Sequence, residues 1–196
     1  MRTLLFILLI GVMNNTFAAE KKVRVSPELQ MLNMVLSNNL PKEFANTENI
    51  PFEKLTAVCK KDWQNEIELY GKEAKSASVI KADLNNDGRK ELIVTYRGYW
   101  GNGGTNYDVL TLQQGTWKKC GQLFALHIAP LQLNGRHGLF QVSKCGSMHR
   151  EYTFFELING KLTPSIKITA NIPSDDKSLK LSVKIESTAA TFKHLF

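Results

Sequence analysis

Cysteine is scarce in this chain: Cys59, Cys120 and Cys145 are the only three in 196 residues, and no CxxC or CxxH spacing occurs. Nothing therefore supports a metal site built on thiols. Also missing are a GxSxG nucleophile turn, a zinc-binding HExxH and a phosphate-cradling Gly-Lys-Ser, so the common hydrolase and nucleotide chemistries leave no signature. His127, His137, His149 and His194 show no ligand spacing. Cys145 and His149 could be imagined as a thiol and its base, but a disulfide at Cys145 would consume that nucleophile. Charge of one sign is not gathered into blocks either. The formal net charge of +7 is spread over single lysines and pairs such as Lys118 with Lys119, which describes a solvated surface, or long-range attraction to an anionic partner, better than a nucleic-acid stripe.

Long apolar runs are missing everywhere except at the start. Arg2 supplies a positive charge, Thr3 to Met13 is rich in Leu and Ile, and Thr16 with Ala18 places small residues where a signal peptidase reads them. The spacing predicts a signal peptide over 1–18, with cleavage after Ala18 or, second, after Ala19. About ten apolar residues fall well short of the ~20 that span a bilayer as a helix. A periplasmic or secreted mature chain without a membrane span is expected, and export favours disulfides. Cys120 and Cys145, each followed by Gly, are the preferred pair. That leaves Cys59 as an odd thiol able to link two copies, so monomer and disulfide-linked dimer both stay open.

The expected fold is α+β in one globular domain: N-terminal helices over 19–75, packed on a β-rich body over 76–196. Ser26 and Pro27 open a helix that Leu29, Leu32, Val35 and Leu36 continue at helical spacing to Asn39. A polar link, Lys42 to Asn49, leads to a second helical region from Phe52 to Tyr70. From Ser76 the period becomes that of strands, with tight turns at Gln114-Gly115 and Asn159-Gly160. An antiparallel meander of about eight or nine strands follows. Leu84 and Trp117 recur as Leu133 and Leu162, so the meander reads as two degenerate blade-like units.

One motif has specific chemistry. Asp83, Asn85, Asp87 and Glu91 put oxygen side chains at the first, third, fifth and ninth positions of a loop, with Gly88 at the sixth. Hard Ca²⁺ takes six to eight oxygens, and alternate residues of a tight loop can aim several at one centre. Those four side chains and the carbonyl of Arg89 are the expected ligands. An EF-hand would need Glu where Val94 stands, followed by a helix, and Glu91 to Tyr96 alternates like a strand. An Asn/Asp/Gly turn without metal is the plainer alternative, although carboxylates converging on one loop repel one another without a cation. The run from Ala82 to Val94 resembles the calcium loops of FG-GAP and VCBS-type repeats, found in integrin α-chain propellers and many exported bacterial proteins. The resemblance implies a calcium-holding β-hairpin; the Phe-Gly and Gly-Ala-Pro signatures of those repeats are missing.

Beyond that loop, Arg97, Tyr99, Trp100 and Asn102 lie in a glycine-rich stretch whose aromatic faces suit a sugar or a protein partner. The alternative is a long hairpin connection whose aromatics fold back onto the protein. Two functional classes remain. One is an exported, non-catalytic, calcium-braced binding protein, an inhibitor or immunity protein acting on an envelope-targeting enzyme, with a protein or a cell-envelope glycan as partner. The other is an envelope-acting hydrolase using the acids of the calcium loop.

Overall fold

The computed structural model describes residues 25–44, 46–51, 54, 55, 58, 64, 76–96, 104–144, 149–171 and 182–187. Helix α1, Pro27–Leu36, starts where the sequence places it: Ser26 is extended at the N-cap, its hydroxyl accepts the Leu29 amide at 3.3 Å, and Pro27 follows at a position that needs no donor. Asn38, at φ 52°, turns the chain out of the helix. Met31 is the helix's anchor, with no exposed surface.

Ten strands follow. The first sheet runs in the order β1 (Thr47–Pro51), β2 (Ser76–Ala82), β3 (Glu91–Tyr96), β4 (Thr105–Gln113) and β5 (Thr116–Ala125). The second contains β6 (His127–Leu133), β7 (Arg136–Lys144), β8 (His149–Ile158), β9 (Lys161–Asn171) and β10 (Ser182–Ser187), with β6 and β10 at its edges. Every pair of neighbours is antiparallel. Three hairpins close on two-residue turns, Gln114-Gly115, Asn134-Gly135 and Asn159-Gly160, with positive φ at both residues. Such turns match the right-handed twist of the strands.

This arrangement corrects the expected α+β fold. The protein is mostly β, divided into two five-stranded sheets, and its one fully described helix covers ten residues. Part of the expected polar link became β1, which pairs with β2 from Thr47 opposite Ile80 to Pro51 opposite Ser76. An edge strand is held by backbone bonds on one side and is largely exposed here, so it lacks the alternation that reveals a half-buried strand. Of the second expected helix, only Lys54, Leu55, Val58 and Gln64 fall among the described residues. The expected signal peptide lies outside them.

The two sheets repeat one design. A bulge interrupts β4–β5 between Val109 and Leu110, and another interrupts β8–β9 between Phe154 and Phe155. Matching these bulges matches Tyr107 to Tyr152, Val94 to Leu139 and Trp117 to Leu162. Matched residues then fall in different cores. Val109, Ile80, Leu84 and Leu123 line the layer between the sheets, while their counterparts Phe154, Ala129, Leu133 and Ile168 line the outer layer under α1. Leu110, Val94 and Val79 line the far side of the first sheet, whereas Phe155, Leu139 and Ile128 face the middle layer. The front of the first unit thus packs on the back of the second, as successive blades do. The exposed fronts and backs that remain are covered by other parts of the chain: Met31 of α1 seals the second unit's front, and Leu55 seals the first unit's back. Among the described residues, no helix is long and apolar enough to cross a membrane.

Candidate metal-binding loop

The loop between β2 and β3 is longer than its counterpart: residues 85–90 separate Leu84 from Glu91, where only Asn134 and Gly135 separate Leu133 from Arg136. The extra length holds the acidic motif. Asn86 at φ 59° and Gly88 at φ 82° bend the backbone back on itself. A Cβ at Gly88 would meet nothing, so the conformation rather than crowding calls for glycine there.

The loop's own amides gather its oxygens. Asp83 accepts the Asp87 amide at 3.2 Å through Oδ1 and the Gly88 amide at 2.9 Å through Oδ2. Asn85 Oδ1 also accepts the Asp87 amide, at 3.2 Å, and Asp87 Oδ1 accepts the Arg89 amide at 2.8 Å. The side chains of the first, third and fifth positions are thereby folded inward over one turn. Asn85 Nδ2 donates to Asp87 Oδ2 at 3.1 Å, which ties the third position to the fifth. These three residues fit a hard divalent cation in donor type and spacing.

Glu91 departs from the expected role. Its carboxylate is turned into the protein and is 1% exposed. Oε2 accepts the Leu84 amide at 2.9 Å and Oε1 accepts the Thr111 hydroxyl at 3.2 Å. Burial holds its pKa above the usual carboxylate value, against the lowering effect of those two bonds, and the nearby charges of Asp87 and Asp83 add to the rise. Glu91 therefore works as a latch that fastens the loop's first turn to β4. Among the described residues, no three His, Cys, Asp or Glu side chains are grouped to hold a metal. The Arg89 amide bonds within the loop.

Thr111 gave no signal in isolation. Its importance shows only through the repeat, where Glu91 and Thr111 match Arg136 and Glu156. There Arg136 Nε donates to Glu156 Oε1 at 3.0 Å, and Arg136 Nη2 and the Ser165 hydroxyl both donate to Glu156 Oε2. Burial pushes the Glu156 pKa up, but the bonds from Arg136 and Ser165 outweigh it and hold the carboxyl below its usual range. Ser165 and Cys120 are the matching bulged residues.

Cys120, expected in a disulfide with Cys145, is a free and buried thiol. Its Sγ donates to the Val109 carbonyl at 3.2 Å, and the bulge turns it into the middle layer, away from any strand end. Burial, with the charge of Glu91 close by, pushes its pKa up to about 12. Iodoacetamide at pH 8 is accordingly expected to label Cys120 about a hundredfold more slowly than free cysteine. Mass spectrometry on a chain with Cys59→Ser and Cys145→Ser reads this, and labelling at the free-cysteine rate would show the thiol to be accessible. Cys59 and Cys145 lie outside the described residues, as do Arg97, Tyr99, Trp100 and Asn102.

No family model, curated protein or solved structure matches this chain. The resemblance to FG-GAP and VCBS calcium loops rests on the sequence from Ala82 to Val94 alone.

Proposed function

We propose that the chain is an exported, non-catalytic binding protein, braced by Ca²⁺ in the 83–91 loop, that captures and inhibits an envelope-targeting enzyme. The observation that carries this reading is how the connections are sorted. The acidic loop and the three two-residue turns all lie at one end of the stacked sheets. At the other end β3 finishes and β4 begins, as do β7 and β8, and β9 and β10; in sequence, the stretch between β3 and β4 is the one that carries the aromatic residues. Two sheets packed through a shared core give these loops a rigid support, and loops on rigid supports commonly carry binding. Calcium held by Asp83, Asn85 and Asp87 supports this by bracing the opposite end.

Two measurements test the parts separately. Calcium at a hundred times its Kd stabilises a folded state by ~2.7 kcal/mol, and for a domain of this size each kcal/mol raises Tm by about 2–4 °C. A rise of roughly 5–10 °C at saturating calcium is expected, and Asp83→Asn should abolish most of it; no shift in either protein removes the ion. For the partner, immobilised wild-type chain is expected to retain an envelope-degrading enzyme stoichiometrically and suppress its turnover. Trp100→Ala should weaken that capture by about thirtyfold, the effect of losing an aromatic anchor worth ~2 kcal/mol. Capture unchanged by the substitution would dismiss the aromatic loop. Turnover of an envelope polymer by the chain itself, lost in a folded Asp87→Ala, would instead identify the hydrolase.

A further inference from the structure

The outer face of the second sheet presents two cations side by side. Lys144 of β7 and Arg150 of β8 are direct cross-strand partners, an arrangement in which like charges repel. Two residues along each strand, Val142 and Tyr152 belong to the core under α1, so alternation puts Lys144 and Arg150 on that same face, just past the apolar residues. Among the described residues, no ion pair includes either side chain. Arg150 Nη1 is buried and lacks any hydrogen-bond partner, and a buried donor left unmet calls for an explanation.

Among the described residues, the surroundings provide no internal counter-charge. On β9 the residue opposite Arg150 is Ala170, which offers only a methyl group. Glu151, the next residue, points to the other face and pairs with Lys167 at 2.7 Å. Glu43 is already engaged: its Oε1 lies 3.1 Å from His127 Nδ1, while His127 Nε2 faces the Pro41 carbonyl at 2.9 Å. His127 sits opposite Val142 on β6, so the neighbouring strand adds a third nitrogen-bearing side chain to this corner rather than an acid.

We infer that Lys144 and Arg150 form a docking point for a carboxylate on the partner protein. This rests on the binding-protein reading and gives the chemistry of what is bound. A guanidinium can take a carboxylate through two parallel bonds, and one carboxylate between two cations removes their repulsion. A polyanionic polymer fits less well, because it needs a row of cations along its length, and the remaining lysines are scattered.

The test uses the mature chain, labelled with ¹⁵N, and an N-acetylated hexapeptide of alternating glutamate and leucine. Amide shifts confined to residues around 144 and 150 are expected, with affinity falling tenfold or more in Arg150→Gln, and likewise in Lys144→Gln, which changes only an exposed side chain. Lys161→Gln, at the opposite end, should bind as wild type does. Peptide shifts that persist unchanged in both variants would overturn the proposal, as would tighter binding of a glycerol-phosphate oligomer than of the peptide. Enzyme capture undiminished in both variants overturns this surface and leaves the binding-protein reading standing. Peptide binding that depends on Arg150, in a chain that captures no envelope enzyme, supports the surface and removes that reading.

Discussion

Glu91→Ala is expected to cost the fold about 3 kcal/mol, and Glu91→Gln to cost nothing at neutral pH. The carboxylate accepts the amide of Leu84 and the hydroxyl of Thr111 from a buried position. Each hydrogen bond to a charged group contributes ~1.5–3 kcal/mol, and alanine would leave the buried Leu84 amide without an acceptor. Glutamine keeps both contacts, since its Oε1 can accept from Leu84 while its Nε2 donates to the Thr111 oxygen. It also removes the buried charge. The folded pKa of Glu91 is raised above 4.5, chiefly by burial, so the native state keeps its proton to higher pH than the unfolded chain does. Whatever that proton contributes to stability is fully present below the unfolded value and is lost as pH rises through the folded one. Wild type and Glu91→Gln should therefore be equally stable near pH 4, with the glutamine variant gaining as pH rises. Urea unfolding of the three proteins at pH 4, 6 and 8 measures this. An alanine variant within 0.5 kcal/mol of wild type, on the scale of an ordinary surface change, would mean that the latch does not hold the loop. The same variants separate latch from ligand: calcium stabilisation that survives in Glu91→Gln leaves the ion to Asp83, Asn85 and Asp87.

The strands from Ser76 onward are legible in the sequence because their turns are written in Asn, Gln and Gly and their β-branched and aromatic residues alternate. The eight or nine strands expected from Ser76 onward correspond to β2 to β10. What periodicity could not show is the division into two sheets. Leu126 links β5 to β6 in a single step, and its amide bonds the Val142 carbonyl at 2.8 Å; the sequence there reads as one more tight turn in a single meander. Nor does alternation say that both faces of each sheet are buried. In β7 six consecutive residues, Gly138 to Ser143, are buried, a pattern that pairwise alternation conceals. The acidic loop divides in the same way. The bonds that tie Asp83, Asn85 and Asp87 to amides of their own loop follow from spacing, because the three stand two residues apart in one turn. Glu91 begins a strand, and strand alternation, which no loop motif contains, turns it inward toward Ile93 and Thr95 on the same face.

That inward and outward packing makes α1 the replacement for a missing neighbour, and Met31→Lys should show it. Met31 has no exposed surface and lies against a core that includes Phe140, Val142, Phe154, Ile166 and Ile168. Removing a buried Met side chain costs ~2–5 kcal/mol, and a lysine ammonium cannot stay in that core unpaired. α1 is too short to remain helical without docking, since isolated helices below ~12–15 residues are marginal in water. A loss of about 4 kcal/mol is expected, together with release of the helix from the second unit's front. The exposed face is built to receive another unit's back, yet the first unit's back is already sealed by Leu55. Released molecules therefore have no complementary closed partner and should associate without fixed stoichiometry. Analytical ultracentrifugation, run beside thermal unfolding, distinguishes that from simple unfolding. Met31→Leu, which preserves volume and polarity, should sediment as wild type does and lie within ~1.5 kcal/mol of it in stability. A Met31→Lys that sediments and melts with wild type would show that α1 rests on the sheet without holding it.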